Sequence, residues 1–420
     1  MLNNHRWMPI GALAAASLIV LAGCSSDSPA ADSDVTLEYM IWDANAVKLH
    51  EELAAKFTEQ NPNVTVEVTA VPWDQYWTKL QTQASSDTLP DLFWLNEPNF
   101  AQYATNGVLA EVSSDYDPAE FPEALVNSYT LEEKILATPM SYNTMAVWYN
   151  TAIFDAAGVA YPEASWTLED FEATANAITA ALGSDGVFGA ASGPALGQET
   201  YYNTIFATGG YVISEDGETS GYADPATIEG LQLWVDLIQS GAAPSVEQVN
   251  DNPIAQYFTS GKLGMMWSGG WNATTLSESE IADTIEVAPL PHGSSDLVTT
   301  IQGGAYAVSA GSDHLAEAQA FQSFLTSQEA SEAFGKAGLG IPARLSAAST
   351  FTESFPEWDL QIFIDQSAEA APYPVSLNTA AWNQLEVEYL TPAWTGQKPV
   401  ADAARELAKA MDAVLAEENR

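Results

Sequence analysis

The chain has 420 residues, 47% hydrophobic and 10% aromatic, with 56 acidic against 12 basic side chains and a formal net charge of −44. Such a surface repels phosphate, which argues against nucleic acid as a partner and against adsorption to anionic lipid by charge alone. A chain of about 400 residues exceeds one ordinary core and implies two domains.

Residues 1–9 hold Arg6 and no acid, and residues 10–22, IGALAAASLIVLA, are small or apolar. A short basic start, an apolar run too short to span a membrane comfortably, and small residues at its end describe a secretory signal. The tail LAGC resembles a bacterial lipobox, whose cysteine becomes the lipid-bearing first residue of the mature chain. Cys24 is the only cysteine, so it has no internal disulfide partner and builds no metal site alone. The alternative is an uncleaved signal anchor with Cys24 incidental. Residues 25–34 are small, polar and acidic and suit a flexible tether. The expected organisation is a signal peptide over 1–23 and a tether over 24–34, with lipid on Cys24 anchoring an extracytoplasmic protein. Losing Arg6 with the leader takes the net charge to −45.

VTLEYMIWD, from residue 35, reads as a buried strand. Ala46, Leu49, Leu53 and Phe57 then recur at helical spacing until Asn61-Pro62 stops the helix. Val64, Val66 and Val68 alternate with polar residues as in a strand. WDQYWTKLQTQASSD reads as a helix, and DLFWLN, residues 91–96, as a strand covered on both faces. This βαβαβ order is that of a doubly wound α/β layer. Farther on, Thr167 with Asp170 marks a helix start, and Phe171, Ala175, Ile178 and Leu182 mark its buried face. Asp224 and Pro225 open another helix that Gly241 stops. KLGMMWSGGW is a strand and turn, residues 314–338 are a helical pair, and residues 400–420 are an amphipathic helix. Asp216-Gly217 sits at a hairpin turn. GKAGLG follows a helix rather than a strand, so it is no dinucleotide fingerprint. The four histidines are isolated and no zinc site or cofactor is expected.

Five stretches in order resemble the extracellular solute-binding proteins of carbohydrate ABC importers, the group that includes maltose-binding proteins. They are KFTEQNPNVTVEVTAVPWDQYWTKLQTQASSDTLPDLFWLN, YNTMAVWYNTAIFDAAGV, SWTLEDF, YFTSGKLGMMWSGGW and FLTSQEASEAFGKAGLGIPAR. The resemblance implies a two-lobed α/β fold, periplasmic-binding-protein-like and of the class II type. Each lobe is then a sheet flanked by helices, with a sugar cleft between. By the same pattern lobe one holds residues 35–146 and 301–342, and lobe two 147–300 and 343–420. The implied partners are a neutral mono- or oligosaccharide and the permease of an ABC transporter, the receptor being a monomer.

A pyranose presents a weakly apolar face to Trp or Tyr and a ring of hydroxyls to fixed donors and acceptors. In open α/β sheets such sites lie beyond the carboxyl ends of strands. Trp42 and Asp43 end the first strand, Asp43 either meeting hydroxyls or capping the next helix. Asn96 and Glu97 end the third. Tyr142 and Asn143 stand at the expected first crossover, while Trp148 and Tyr149 read as core. Of Tyr201 and Tyr202 one is expected to reach the cleft. In WSGGW, Gly269 lets backbone approach a ligand and Trp271 lies under a sugar ring. Trp267 is the second tryptophan of that motif, with burial as its other reading. Gly303 and Gly304 offer backbone amides to hydroxyls. Arg344, the only arginine between Arg6 and Arg405, either grips a ligand or ties the hinge to an acid. Tyr373 and Trp382 are further platforms, Trp382 equally a packing residue. Two other function classes remain open: an exported glycoside-active enzyme, and a receptor for a polyamine or peptide.

Overall fold

The computed structural model describes residues 34–193 and 197–418; Cys24 and the leader lie outside them. The strands, in chain order, are β1 (Val35–Ile41), β2 (Val64–Ala70), β3 (Leu92–Asn96), β4 (Thr130–Leu131), β5 (Lys134–Ile135), β6 (Thr138–Asn143), β7 (Met145–Asn150), β8 (Phe188–Ala191), β9 (Leu263–Gly269), β10 (Ile285–Ala288), β11 (Thr299–Val308), β12 (Ile341–Pro342) and β13 (Ala370–Pro372). One sheet runs β12-β6-β11-β3-β1-β2, with β13 also on β11, and a second runs β10-β7-β9-β8. The β1, β2 and β3 strands pair in parallel, as the opening βαβαβ order requires. Among the described residues no helix is long and apolar enough to cross a membrane.

Local chemistry explains the element ends. Thr167 and Asp170 form a reciprocal capping box at the helix Leu168–Leu182, which buries Phe171, Ala175 and Ile178. Asp224 accepts from Ala226 N–H at the start of Pro225–Ser240, and Gly241, at φ 77°, ends that helix. The short hairpin closes at Asp216-Gly217, where Gly217 N–H donates to Ser214. The helices Leu315–Leu325, Gln328–Lys336 and Val400–Glu418 stand where the apolar spacing put them.

Alternation decides what each sheet buries. Along β7, Met145, Val147 and Tyr149 join one apolar cluster. Ala146 and Trp148 join another on the opposite face. Both faces are covered, so the whole strand is buried. The chain changes sheet at Thr144, between β6 and β7. Phe121, Leu125 and Val126, expected within lobe one, share the cluster of Trp148 and Met266 from the second sheet. The strand β11 serves both parts of the first sheet: Thr299–Ile301 pair with β13, and Gly304–Val308 pair with β3.

The helix Thr379–Trp394 packs against both Glu97–Thr105 and Pro225–Ser240, and it carries a buried carboxyl. Glu386 is 2% exposed. Its Oε1 and Oε2 accept from Tyr202 hydroxyl at 2.7 and 2.8 Å. Tyr201 donates at 3.2 Å and Asn383 at 3.0 Å, and Tyr222 also donates. The tyrosines are thereby withdrawn from the cleft, and Trp382 takes its packing reading. Tyr201 and Tyr202 both serve Glu386, because the helix Tyr201–Ala207 is buried along its whole length. Tyr373 packs on Tyr202 and donates to Asn383. Trp382 is fully buried, its indole N–H on Ser376.

Burial pushes the Glu386 carboxyl up to about 7, the surrounding hydroxyls pulling the other way. A group whose folded value is raised stabilises fully below its unfolded value and loses that contribution as pH rises through the folded one. Between pH 6 and 8 this site should cost the native state about 1 kcal/mol. Thermal melts across that range should therefore fall more steeply for the native chain than for Glu386→Gln.

Candidate functional site

A cavity of about 410 Å³ opens between the two sheets. A larger depression of about 850 Å³ beside β2 and the helix Val47–Gln60 is open and holds no aromatic side chain. The inter-sheet cavity is the candidate site because strand ends from both sheets converge on it.

The first sheet supplies a tryptophan wall. Trp42 follows β1, Trp94 lies in β3, and Trp73 begins the helix Trp73–Ser85; all three line the cavity. The Trp42 ring meets Trp94 edge-on at 4.9 Å and Trp73 at 5.5 Å. The wall is locked from behind. The Trp94 indole N–H donates to Tyr39 hydroxyl at 2.6 Å. Tyr39 lies 3.1 Å from His50 Nδ1. Burial pulls His50 down to about 3, so its ring is neutral. The other ring nitrogen of His50, Nε2, is buried and has no partner.

Polar groups complete this wall. Asp43 accepts from Asn45 N–H at 2.8 Å as a cap, and it also lines the cavity. Burial raises its carboxyl. Asn96 lines the cavity while accepting from Asn99 at 2.8 Å. Asn143 lines it with a buried Oδ1 that has no partner. Gly304 lines it too, where an added Cβ would meet Met140 at 2.6 Å.

The second sheet brings Trp271 and Asn272, just beyond β9, together with Thr275, Gln198 and Glu199. Glu199 accepts from Ser268 hydroxyl, and Asn272 donates to Ser268 at 2.8 Å. Burial raises Glu199, Ser268 opposing. The Gln198 carbonyl is held by Asn203 at 3.0 Å and Thr300 at 3.1 Å. Among the described residues, no Lys, Arg or His lines the cavity, and no group of His, Cys, Asp and Glu could hold a metal ion.

Several expected residues stand elsewhere. Tyr142 points to the opposite face from its neighbours Ser141 and Asn143 and joins an apolar cluster, as strand alternation dictates. Trp267 is 1% exposed and packs on Phe171 and Trp234. Gly269 makes room for Trp271 rather than for a ligand, since a Cβ there would lie 2.0 Å from that ring. Glu97 is buried beneath the cavity and takes the Gly303 N–H at 2.7 Å, so Gly303 lines the cavity with its donor already used. Arg344 pairs with Glu120 at 2.5 Å, donates to Thr326 and lies over Phe121, so it holds an acid rather than lining the cavity.

Trp94 and Ser141 were legible. Each shares a strand face with a residue singled out two positions on, Asn96 and Asn143. Gln198, Glu199, Phe334 and Leu339 carry no such signal, because loops and helix ends far apart in sequence deliver them.

Known proteins agree with this architecture. The family model described as bacterial extracellular solute-binding protein matches residues 52–359. A putative binding protein of Brucella abortus is 26% identical over 67% of this chain and 68% of its own. The galactooligosaccharide-binding protein of Bacillus subtilis is 24% identical over 95% of this chain and 93% of its own. Among solved structures, an ABC substrate-binding protein of Listeria monocytogenes in complex with cycloalternan superposes with a TM-score of 0.85. It is 23% identical and covers 91% of this chain and all of its own. With most of its length matched and the two-lobed fold of maltose-binding proteins, this chain belongs to the bacterial extracellular solute-binding proteins.

Proposed function

We propose that the protein is a receptor for a neutral mono- or oligosaccharide, which it binds between its lobes and delivers to an ABC permease. The observation that carries the reading is the cavity's composition. Tryptophans line it from both sheets, Trp42, Trp73 and Trp94 on one side and Trp271 on the other. Amides and the Asp43 and Glu199 carboxyls surround them, and among the described residues no Lys, Arg or His lines the cavity to pair with an anionic ligand. Such a cavity suits the apolar face and the hydroxyls of a sugar. The relative named for galactooligosaccharide and the neighbour solved with cycloalternan support a saccharide over a polyamine or peptide.

Mechanistically, the ligand bridges two half-sites. Each belongs to a different sheet, and the chain passes between sheets at Thr144 and again between β10 and β11. A sugar that touches Trp42 and Trp271 together binds the closed arrangement better than the open one and shifts the population toward it. A permease that recognises the closed form then receives loaded receptor. Lobe limits near 146, 300 and 342 belong to this reading, as do a monomeric receptor and lipid on Cys24, which holds it at the membrane's outer surface.

In a thermal-shift screen of residues 25–420, one class of neutral saccharide should raise the melting temperature. Four tryptophans line the cavity, so the same sugar should change the intrinsic fluorescence. A rise with polyamines or peptides alone would overturn the saccharide assignment, and turnover of a chromogenic glycoside would overturn the receptor.

Trp271→Ala should weaken that sugar at least about tenfold while leaving the unliganded melting temperature near that of the native chain. Gly269→Ala should weaken it too, although Gly269 does not line the cavity, by displacing the Trp271 ring. Calorimetric titration measures both. Cys24→Ala should move the protein from the membrane fraction to the soluble one.

A further inference from the structure

The strand β3 stops one position short of covering Gly303. The last Cα pair between β3 and β11 is Asn96 with Gly304. Beyond it the backbone of Gly303 has no strand neighbour on that side, in a buried wall where unpaired groups are costly. Two side chains stand in for the strand. Glu97 Oε1 accepts from Gly303 N–H at 2.7 Å, and Tyr129 hydroxyl donates to the Gly303 carbonyl at 2.6 Å. Glu97 is 4% exposed and Tyr129 0%. The backbone cannot retreat either: a Cβ on Gly303 would lie 2.1 Å from the Ser141 carbonyl oxygen.

One atom is left over. Glu97 Oε2 is buried and has no hydrogen-bond partner. The Tyr129 hydroxyl beside it has given its only proton to Gly303 and keeps an open lone pair. A carboxylate would face that lone pair with an unpaired buried charge. A carboxylic acid with its proton on Oε2 would donate to Tyr129 and leave nothing unsatisfied. Burial pushes Glu97 up to about 7, against the pull of backbone N–H donors. Tyr373 is the other titratable group that feels its charge. The helix Thr379–Trp394, packed on the helix Glu97–Thr105, brings Glu386, which is of the same sign.

We propose that Glu97 is a positioning residue for the ligand cavity, which in its protonated form closes a three-bond ring with Tyr129 and Gly303 and so fixes the wall at Gln302, Gly303 and Gly304. The ring runs from Gly303 N–H to Glu97, from Glu97 to Tyr129, and from Tyr129 back to the Gly303 carbonyl. Ionisation breaks the middle bond. The wall is then held less firmly above pH 7 than below it. The effect on a ligand rests on the saccharide-receptor reading; the ring itself does not.

Gln302-Gly303 is the only Gln-Gly step in the sequence. Labelling glutamine at the carbonyl carbon and glycine at nitrogen therefore isolates the Gly303 amide in a nuclear magnetic resonance spectrum of the folded, unliganded protein. Its proton shift should titrate with a midpoint near pH 7. In Glu97→Gln the side-chain NH₂ replaces the protonated oxygen, so the shift should stay at its low-pH position throughout. A sugar that stabilises the native chain should bind several-fold more weakly at pH 8 than at pH 6, and equally at both pH values in Glu97→Gln. An amide that does not titrate, or that titrates unchanged in Glu97→Gln, overturns the ring. Affinity that ignores pH while the amide titrates overturns the role at the cavity. If no saccharide stabilises the native chain, the receptor reading fails, and the Gly303 amide still decides the ring.

Discussion

The backbone of β11 at Gly303 runs so close to β6 that no side chain fits there, and the cavity depends on that close approach. A Cβ at Gly303 would strike the Ser141 carbonyl, and one at Gly304 would strike Met140. Two glycines in succession let the strand pass from β13 to β3 and still form a flat wall beneath Trp42. The ladder with β6 shifts register between Gly304 and Ala305, which is where a bulge re-aims a strand. Everything placed on that wall inherits its position from it.

Aromatic side chains build the rest, and a second layer holds them. Trp42 touches Trp73, Tyr76, Trp77 and Trp94. Trp94 is tied to Tyr39 and through it to a neutral His50. Rings with both faces and edges engaged lose little entropy when a ligand arrives, which favours binding by pre-organised surfaces. Trp271 is set by the absence of a side chain at Gly269 rather than by a hydrogen bond.

The acidity has little to do with cohesion. Among the described residues five ion pairs form, and most join exposed side chains, where such pairs contribute little. Carboxyls that matter to the fold are buried and held by hydroxyl and amide donors instead: Glu386 by three tyrosines and an asparagine, Glu97 by the Gly303 N–H. Burial raises both toward neutrality. These two sites make the native state sensitive to pH near 7, while the surface charge keeps the molecule apart from polyanions.

Spacing and cap signals were enough to order the opening strands and helices and to place the capping box at Thr167 and the stop at Gly241. These are local decisions, made by spacing and cap chemistry within a few residues. The stretches resembling sugar receptors carried the two-lobed architecture. Choosing between neighbours was harder. Tyr142 against Ser141, Trp267 against Trp271 and Tyr201 against a cleft position differ only in which face a long-range contact covers. Glu386 decided the fate of the tyrosines from some 180 residues away. Glu97 turned from ligand to scaffold because β3 ends one residue early beside Gly303. The sequence by itself determined which segments are strands and helices and which strand ends carry aromatic and amide side chains, since those follow from neighbours along the chain. Only the tertiary structure decided which of those side chains reach the cavity, since that depends on what packs behind each one.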